Sequence, residues 1–440
     1  MTTASFPQYR WLSGSDALYC IEGPKHCMEW QPLGEEGWVV HKHFAHDYPT
    51  QVWLSELLNA EGHVGEISAS EWSKRWRKRA VRNQVTPIGR SMAPPSDEDV
   101  PFLSAVNLAE HTTFGVAASS KFWCETTCDN EIRSALALAR RRSLSVLILG
   151  GGSNVLFHGD WNGLCLHVGV RGHEVIEDDG NHLKVTVGAG ENWHEWVLFA
   201  LKQGWNGLEN LALIPGSVGA APMQNIGAYG VELQDRFVWL EAIHRETGAL
   251  KRFTKAMCAF GYRESVFKQE ERDQWVIVRV TFELERSAAT KISYGAIQEA
   301  LPKKQLGEIS HQEVAEAVMQ IRRSKLPDPA ILGNAGSFFK NPVIDALSFQ
   351  NLLSQHPEVV HYPLENGEYK LAAGWLIEQA GWKGYRSDKC GVHDRQALVL
   401  VNFGGATGME IWKLANAIIQ DIEEKFGVTL QPEVNQIFGA

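Results

Sequence analysis

No apolar run in this chain approaches the ~20 residues of a membrane-spanning helix, so no membrane partner is expected. The Met1-Thr-Thr-Ala-Ser-Phe6 start lacks a charged stretch followed by an apolar one, and no secretory leader is expected either. Cysteine is scarce: 7 residues, an odd number, do not make a disulfide framework. A soluble protein of the reducing cytoplasm is the expectation. Excess positive charge is missing too. With 42 Lys+Arg against 52 Asp+Glu the net charge is −10, which gives no cationic face for duplex nucleic acid. What remains is ordinary globular usage, 44% hydrophobic and 21% charged, which excludes global disorder. The 440 residues exceed one compact core, and about three domains are expected.

The N-terminal hundred residues differ in texture from the rest. They carry Trp11, Trp30, Trp38, Trp53, Trp72 and Trp76, and tryptophan is poor linker material. Residues 1–93 therefore read as a small folded appendage, and the proline-rich acidic stretch Pro94–Pro101 places a linker at 94–104. The basic run Lys74–Arg79 reads as a solvated helix face. His41, His43 and His46 lack a Cys or carboxylate pair at ligand spacing, so no metal is expected.

From about residue 105 helical and strand patterns alternate. Asn130–Arg142 reads as a helix with an Asx N-cap, and Ser145–Leu149 as a buried strand running into glycines. Leu183–Val187 and Val276–Leu284 read as strands, and 195–203 as a helix. His311–Lys325 is an amphipathic helix stopped by Pro327 and Pro329, and Met409–Lys425 is another that stops at Gly427.

Two glycine-rich loops carry the chemical signal. Gly150-Gly-Gly-Ser-Asn154 follows a strand, and glycines there can turn backbone N–H groups toward an anion while Ser153 and Asn154 add donors. It is neither the G-x-G-x-x-G of dinucleotide folds nor the Walker lysine loop. A tight structural turn is the plainer alternative. The second loop, Ile214–Gly230, packs four glycines among small residues, which suits backbone lying against a flat or phosphorylated ligand. Two such loops point to one extended ligand. Ser337, in Gly333-Asn-Ala-Gly-Ser-Phe-Phe-Lys-Asn-Pro342, reads as a hydroxyl in an apolar pocket or a small turn residue. It does not sit in G-x-S-x-G, which makes a hydrolase a poor reading.

These loops belong to an ordered series: Gly150–Leu156, Gly188–Trp193, Gly207–Gly219, Gln224–Gly230, Gly261–Arg263, Lys325–Pro329, Gly333–Pro342, Ala372–Ile377 and Leu430–Val434. The series, over residues 105–440, resembles the UDP-N-acetylenolpyruvoylglucosamine reductase family, in its tyrosine-loop-containing branch. The resemblance implies an α+β fold with a two-part FAD-binding domain of the vanillyl-alcohol-oxidase type at 105–324, completed by the tail 429–440. A C-terminal α/β substrate-binding domain would occupy 325–428. It implies non-covalent FAD held by Gly150, Gly151, Gly152, Ser153, Asn154, Pro215, Gly216, Gly219, Ala220, Gln224, Gly227 and Tyr229. NADPH would be the electron donor and UDP-N-acetylglucosamine-enolpyruvate the substrate, with a monomer expected. Arg263 would supply a fixed cation, Glu433 a proton-sharing carboxyl group and Ser337 the proton for C2, with Phe338 and Phe339 excluding water. Tyr262, Tyr294, Lys325 and Asn341 would hold the substrate.

Two positions depart from the family pattern. Asn435 stands where an arginine is frequent, which weakens the positive field near the substrate. Thr112-Thr113-Phe114 replaces Asn-Thr-Phe, which removes one FAD contact. Two alternatives remain at this level: a flavin oxidase using O₂, distinguished by peroxide production, and a nucleotide-binding protein that has lost catalysis, against which Arg263, Ser337 and Glu433 all stand.

Overall fold

The computed structural model describes residues 8–12, 17–23, 26–33, 37–44, 64–66, 81–84, 100, 102–301 and 309–439. It parts into two compact units, residues 1–99 with 127–131, and residues 100–126 with 132–440. In the first unit the strands Gln8–Leu12, Ala17–Gly23, His26–Leu33 and Gly37–Phe44 form an antiparallel meander. Val64–Glu66 adds to one edge, and Val81–Gln84 adds in parallel to the other. Trp11 pairs with Leu18, Leu18 with Trp30 and Trp30 with Val40, a register row of strand-favouring residues. The expectations placed on Lys74–Arg79, His46, Trp53, Trp72, Trp76 and the Pro94–Pro101 stretch other than Val100 lie outside the described residues.

The second unit is α+β. A mixed four-stranded sheet has the order Leu103–Asn107, Ser119–Thr126, Trp161–Val168, Val146–Leu149. An antiparallel five-stranded sheet follows, His173–Asp178, His182–Gly188, Trp275–Glu285, Phe237–His244, Leu250–Thr254. Its central strand, Trp275–Glu285, is buried on both faces. Val276 and Val278 pack with Ile132, Leu136 and Ala139 of the Asp129–Arg141 helix, while Phe282 and Leu284 pack with Trp193, Trp196 and Val197. Truncating a side chain such as Phe282 would cost ~3–5 kcal/mol.

Capping explains where the helices begin and end. His311–Lys325 starts with a Ser310/Glu313 capping box and ends before Pro327, as the sequence pattern requires. Gly408–Phe426 starts with a Thr407/Glu410 box and stops at Gly427, whose φ of 65° is the left-handed cap that glycine accepts without strain. Two expectations need correction. The helix Asp129–Arg141 begins before Asn130, which therefore lies in the first turn and is not the cap. The strand at 146–149 is not buried: it forms the edge of its sheet, and Val146, Leu147 and Ile148 stay half-exposed because they line a cavity.

The chain after residue 325 builds an antiparallel sheet from Gly333–Ser337, Val399–Asn402 and Cys390–Val392. The tail strand Asn435–Ile437 then returns to pair in parallel with Val155–Phe157. One apolar cluster joins Phe114, Leu156 and Phe157 to Phe338, Phe339 and Ile418. This shared core sets the tail and the Ser337 strand beside the first glycine loop.

Candidate active site

Close approach of backbone to backbone dictates the glycines. A Cβ on Gly150 would stand 2.5 Å from Ser217 Oγ, and one on Gly151 3.0 Å from Gly216 Cα. On Gly152, whose φ is +60°, it would overlap the His111 carbonyl oxygen. Gly216 has φ +116°, and its Cβ position faces Ser153 Oγ, which donates to the Pro215 carbonyl at 3.2 Å. Gly219 is packed as tightly on Ala189. The two glycine loops are thus pressed into one another, and the spaces that side chains would fill are mostly occupied by protein. The backbone N–H groups of the first loop are what an anion could still take. Those of Gly151, Gly152 and Ser153 have no acceptor among the described residues. The buried hydroxyls of Thr112 and Thr113, beside Gly152, also lack a partner among the described residues.

Along these loops lie two adjoining chambers, of about 300 and about 740 Å³, whose linings both include Ile148, Gly150, Ser217, Ala220 and Met223. The larger is lined by apolar groups such as Trp161, Phe267 and Ile277 together with the charged Arg245, Glu271 and Arg272. The smaller holds Asn154, Arg263, Ser337 and Glu433. A long ligand with an anionic middle and flat ends matches this shape and donor set, and FAD has that chemistry. The first-loop residues, Pro215, Ala220, Gln224 and Gly227 line the smaller chamber, and Gly219 the larger.

Glu433 is the hub of the smaller chamber. Its Oε1 accepts from Arg263 Nε at 3.1 Å and from Gln224 Nε2 at 3.0 Å. Asn154 Nδ2 donates to Gln224 Oε1 (3.0 Å) and to the Glu433 carbonyl (3.3 Å). Arg263, at φ 55°, also donates to the Gly227 carbonyl at 2.9 Å, so its guanidinium is fixed from two sides. Burial pushes the Glu433 carboxyl above its ordinary value, and Arg263, Lys268 and Lys340 only partly pull it back. Ser337 reaches the same chamber through a bulge. Its strand slips register against Val399 between Asn334 and Ser337, with Gly336 at φ +69° and its N–H held by Asn334 Oδ1 at 2.9 Å. The Glu433 N–H donates to the Phe338 carbonyl at 2.7 Å, which ties the tail to the residue after Ser337.

Several readings change. Phe338 and Phe339 do not wall the chamber that Ser337 lines: both are buried in the core, and the lining beside Ser337 mixes apolar residues such as Ala335 and Leu326 with Arg263 and Glu433. Lys325 is exposed at its helix end and does not line either chamber, whereas Arg322, one turn earlier, does. Tyr262, Tyr294, Tyr229 and Asn341 also stand outside the lining. Tyr229 meets Tyr294 edge to face at 5.4 Å. The Tyr262 ring lies 5.5 Å from Arg263 and 4.8 Å from Lys370 Nζ. Asn341 Oδ1 accepts from the Ala373 N–H at 3.0 Å. Asn435 turns its amide to the Asn154 carbonyl at 3.0 Å. The positive field comes instead from Lys268 and Arg322, both in the lining and both missed in the sequence.

Residues 122–254 match the model of an FAD binding domain, and residues 328–437 that of the UDP-N-acetylenolpyruvoylglucosamine reductase C-terminal domain. Fold and site thus define a flavoprotein with an FAD-binding domain. The UDP-N-acetylenolpyruvoylglucosamine reductase of Pseudomonas putida is 50% identical over 330 residues, 75% of this chain and 97% of the relative. That of Paraburkholderia phymatum is 49% identical over 338 residues, 76% and 98%. A crystal structure of the Thermus caldophilus reductase shares the fold, with a TM-score of 0.52 at 24% identity over 77% of this chain and 99% of the other. The chain belongs to the UDP-N-acetylenolpyruvoylglucosamine reductase family and is an oxidoreductase. Among the described residues no helix is long and apolar enough to cross a membrane.

Proposed function

We propose that this chain reduces the enolpyruvyl group of UDP-N-acetylglucosamine-enolpyruvate to give UDP-N-acetylmuramate, with NADPH as electron donor, in peptidoglycan precursor synthesis. The observation that carries the reading is the grouping of Arg263, Glu433 and Ser337 in one chamber continuous with the glycine loops. When bound, FAD supplies the two-electron transfer from NADPH to C3 of the enolpyruvyl double bond. The N–H groups of Gly151, Gly152 and Ser153 would hold its diphosphate, and the apolar groups lining the larger chamber would take a flat ring. Neither glycine loop contains a His or Cys, which supports non-covalent binding.

The protein's task is the charge that builds on C2 and the adjoining carboxylate. Arg263, held by Glu433 and Gly227, meets that charge with a guanidinium that needs no reorganisation. Glu433, kept toward its neutral form by burial, shares a proton with the carboxylate. Ser337 gives its proton to C2, which is basic enough at that moment to take it. Tyr262, Tyr294, Lys325 and Asn341, outside the chamber, would position the remainder of the substrate. Purified protein should be yellow, and denaturation should release FAD rather than FMN, because a diphosphate cradle has no use for a monophosphate. NADPH should bleach the absorbance near 450 nm (~450 nm being the flavin band) and the enolpyruvyl substrate restore it. A colourless protein that does not take up FAD would end this reading.

We further propose the FAD-binding region at 105–324 with the tail 429–440, the substrate region at 325–428, and a cytoplasmic monomer. The Pseudomonas putida relative is matched over 97% of its own length by only 75% of this chain, which supports dispensability of the appendage. A chain beginning at residue 102 is expected to keep FAD and activity. Loss of flavin on that truncation would show that residues 1–93 are part of the working enzyme.

A further inference from the structure

Leu213 carries a φ of 61°, a left-handed conformation that a bulky side chain adopts only when its surroundings hold it there. Two side chains supply that hold. Its N–H donates to His194 Nδ1 at 3.0 Å, and its carbonyl accepts from Arg322 Nε at 3.2 Å. His194 stands in the first turn of the Trp193–Lys202 helix, next to Trp193, whose N–H and indole bind the Gly216 and Leu211 carbonyls. The residues that follow Leu213 are Ile214 and Pro215, which line the chamber, and Arg322 lines it from the other side. Because the Leu213 N–H is a donor, Nδ1 must be the bare nitrogen and the ring a neutral Nε2–H tautomer.

We propose that His194 is a positioning residue: through the Leu213 N–H it holds Leu213 left-handed, and so fixes the Ile214–Pro215 wall and Arg322, and its protonation releases both. The inference rests on the reading of this chamber as the flavin and substrate site. A proton on Nδ1 would set donor against donor and place an imidazolium near the arginines. The charged groups that face the ring are Arg323 and Arg322 from the His311–Lys325 helix and Glu195 from its own helix. Burial, together with Arg323 and Arg322, holds the ring below its ordinary value, with Glu195 opposing. The neutral form therefore prevails at pH 7, and the hold is lost as pH falls through the lowered value.

The test compares wild type, His194→Asn, His194→Ala and His194→Ala with Leu213→Gly. Asparagine Oδ1 offers an acceptor close to the Nδ1 position and does not titrate there. Glycine takes the left-handed φ without a clamp. FAD dissociation constants from fluorescence quenching at pH 5 to 8 should rise in acid for wild type and stay level for His194→Asn. At neutral pH His194→Ala should bind FAD about tenfold more weakly, as expected for a strained residue that has lost its hold, and Leu213→Gly should recover most of the loss. Histidine ¹⁵N spectra should show the Nε2–H tautomer, whether or not flavin is bound. An unchanged acid limb in His194→Asn, no recovery by Leu213→Gly, or a protonated Nδ1 at neutral pH would each overturn the proposal. If no variant or wild type binds FAD, the site assignment fails instead, while the tautomer and the Leu213 amide exchange still report on the clamp.

Discussion

Ser337→Ala should bleach with NADPH at close to the wild-type rate and re-oxidise on the enolpyruvyl substrate more slowly by roughly 10²–10⁴-fold, the effect of losing a general acid. The two halves separate because, on the proposed mechanism, Ser337 would act only on C2 of the second substrate. The structure supports this choice of residue over a turn-forming role. Gly336, at φ +69°, and the Asn334 side chain already make the bulge, and Ser337 is not among the left-handed residues. Alanine therefore fits the backbone, and a structural lesion would slow both halves together. Ser337→Cys should keep more of the second rate than alanine, since a thiol is the stronger acid with similar reach. Stopped-flow absorbance near the flavin band reads both steps. Wild-type re-oxidation in Ser337→Ala would remove Ser337 from the chemistry.

Local chemistry was readable where one segment carries its own instructions. The His311–Lys325 helix has its capping box and its prolines in one short stretch, and Gly427 announces the end of Gly408–Phe426. Asn130 is a cap-favouring residue by type, yet the helix has already begun at Asp129, so propensity alone does not fix where the first turn starts. The 146–149 strand is less buried than its apolar run suggests, because such a run reads the same whether it faces a core or a cavity. Arg263 and Glu433 are 170 residues apart and meet only because the tail strand pairs with Val155–Phe157. No periodicity encodes that pairing; the order of motifs along the chain was what pointed to it. Lys268 and Arg322 escaped for a different reason. A basic residue in a last helical turn, as Arg322 is, reads as ordinary complement to the helix dipole, and only the folded chain turns it inward. Asn154 and Gln224, expected as cofactor contacts, also brace the Glu433 carboxyl: Gln224 donates to it and Asn154 holds Gln224.

Glu433→Gln should lose about 10²–10⁴-fold in turnover on the enolpyruvyl substrate, and at neutral pH it should be more stable than wild type. Both halves of this prediction come from the same burial. The carboxyl is buried beside Arg263 and Gln224, and desolvation raises it above its unfolded value despite Arg263, Lys268 and Lys340. A group raised in the folded state contributes stability that is complete below its unfolded value and is lost as pH rises through the folded one. At pH 7 the wild type therefore pays for an ionised or reluctantly protonated Glu433, whereas glutamine is neutral at every pH. Glutamine also keeps an oxygen for the Arg263 and Gln224 donors, which now hold Oε1 at 3.1 and 3.0 Å, so the chamber need not rearrange. What it lacks is a proton to share with the substrate carboxylate. Thermal melts of the two proteins should diverge most at pH 7 to 8 and converge toward pH 4, near the ordinary carboxyl range of ~4. The opposing effect is exposure of three cations to one another without their acid. If that effect dominates, Glu433→Gln will be the less stable protein at neutral pH, and the carboxylate will have to be counted as a structural ion-pair partner rather than a group held near its proton for catalysis.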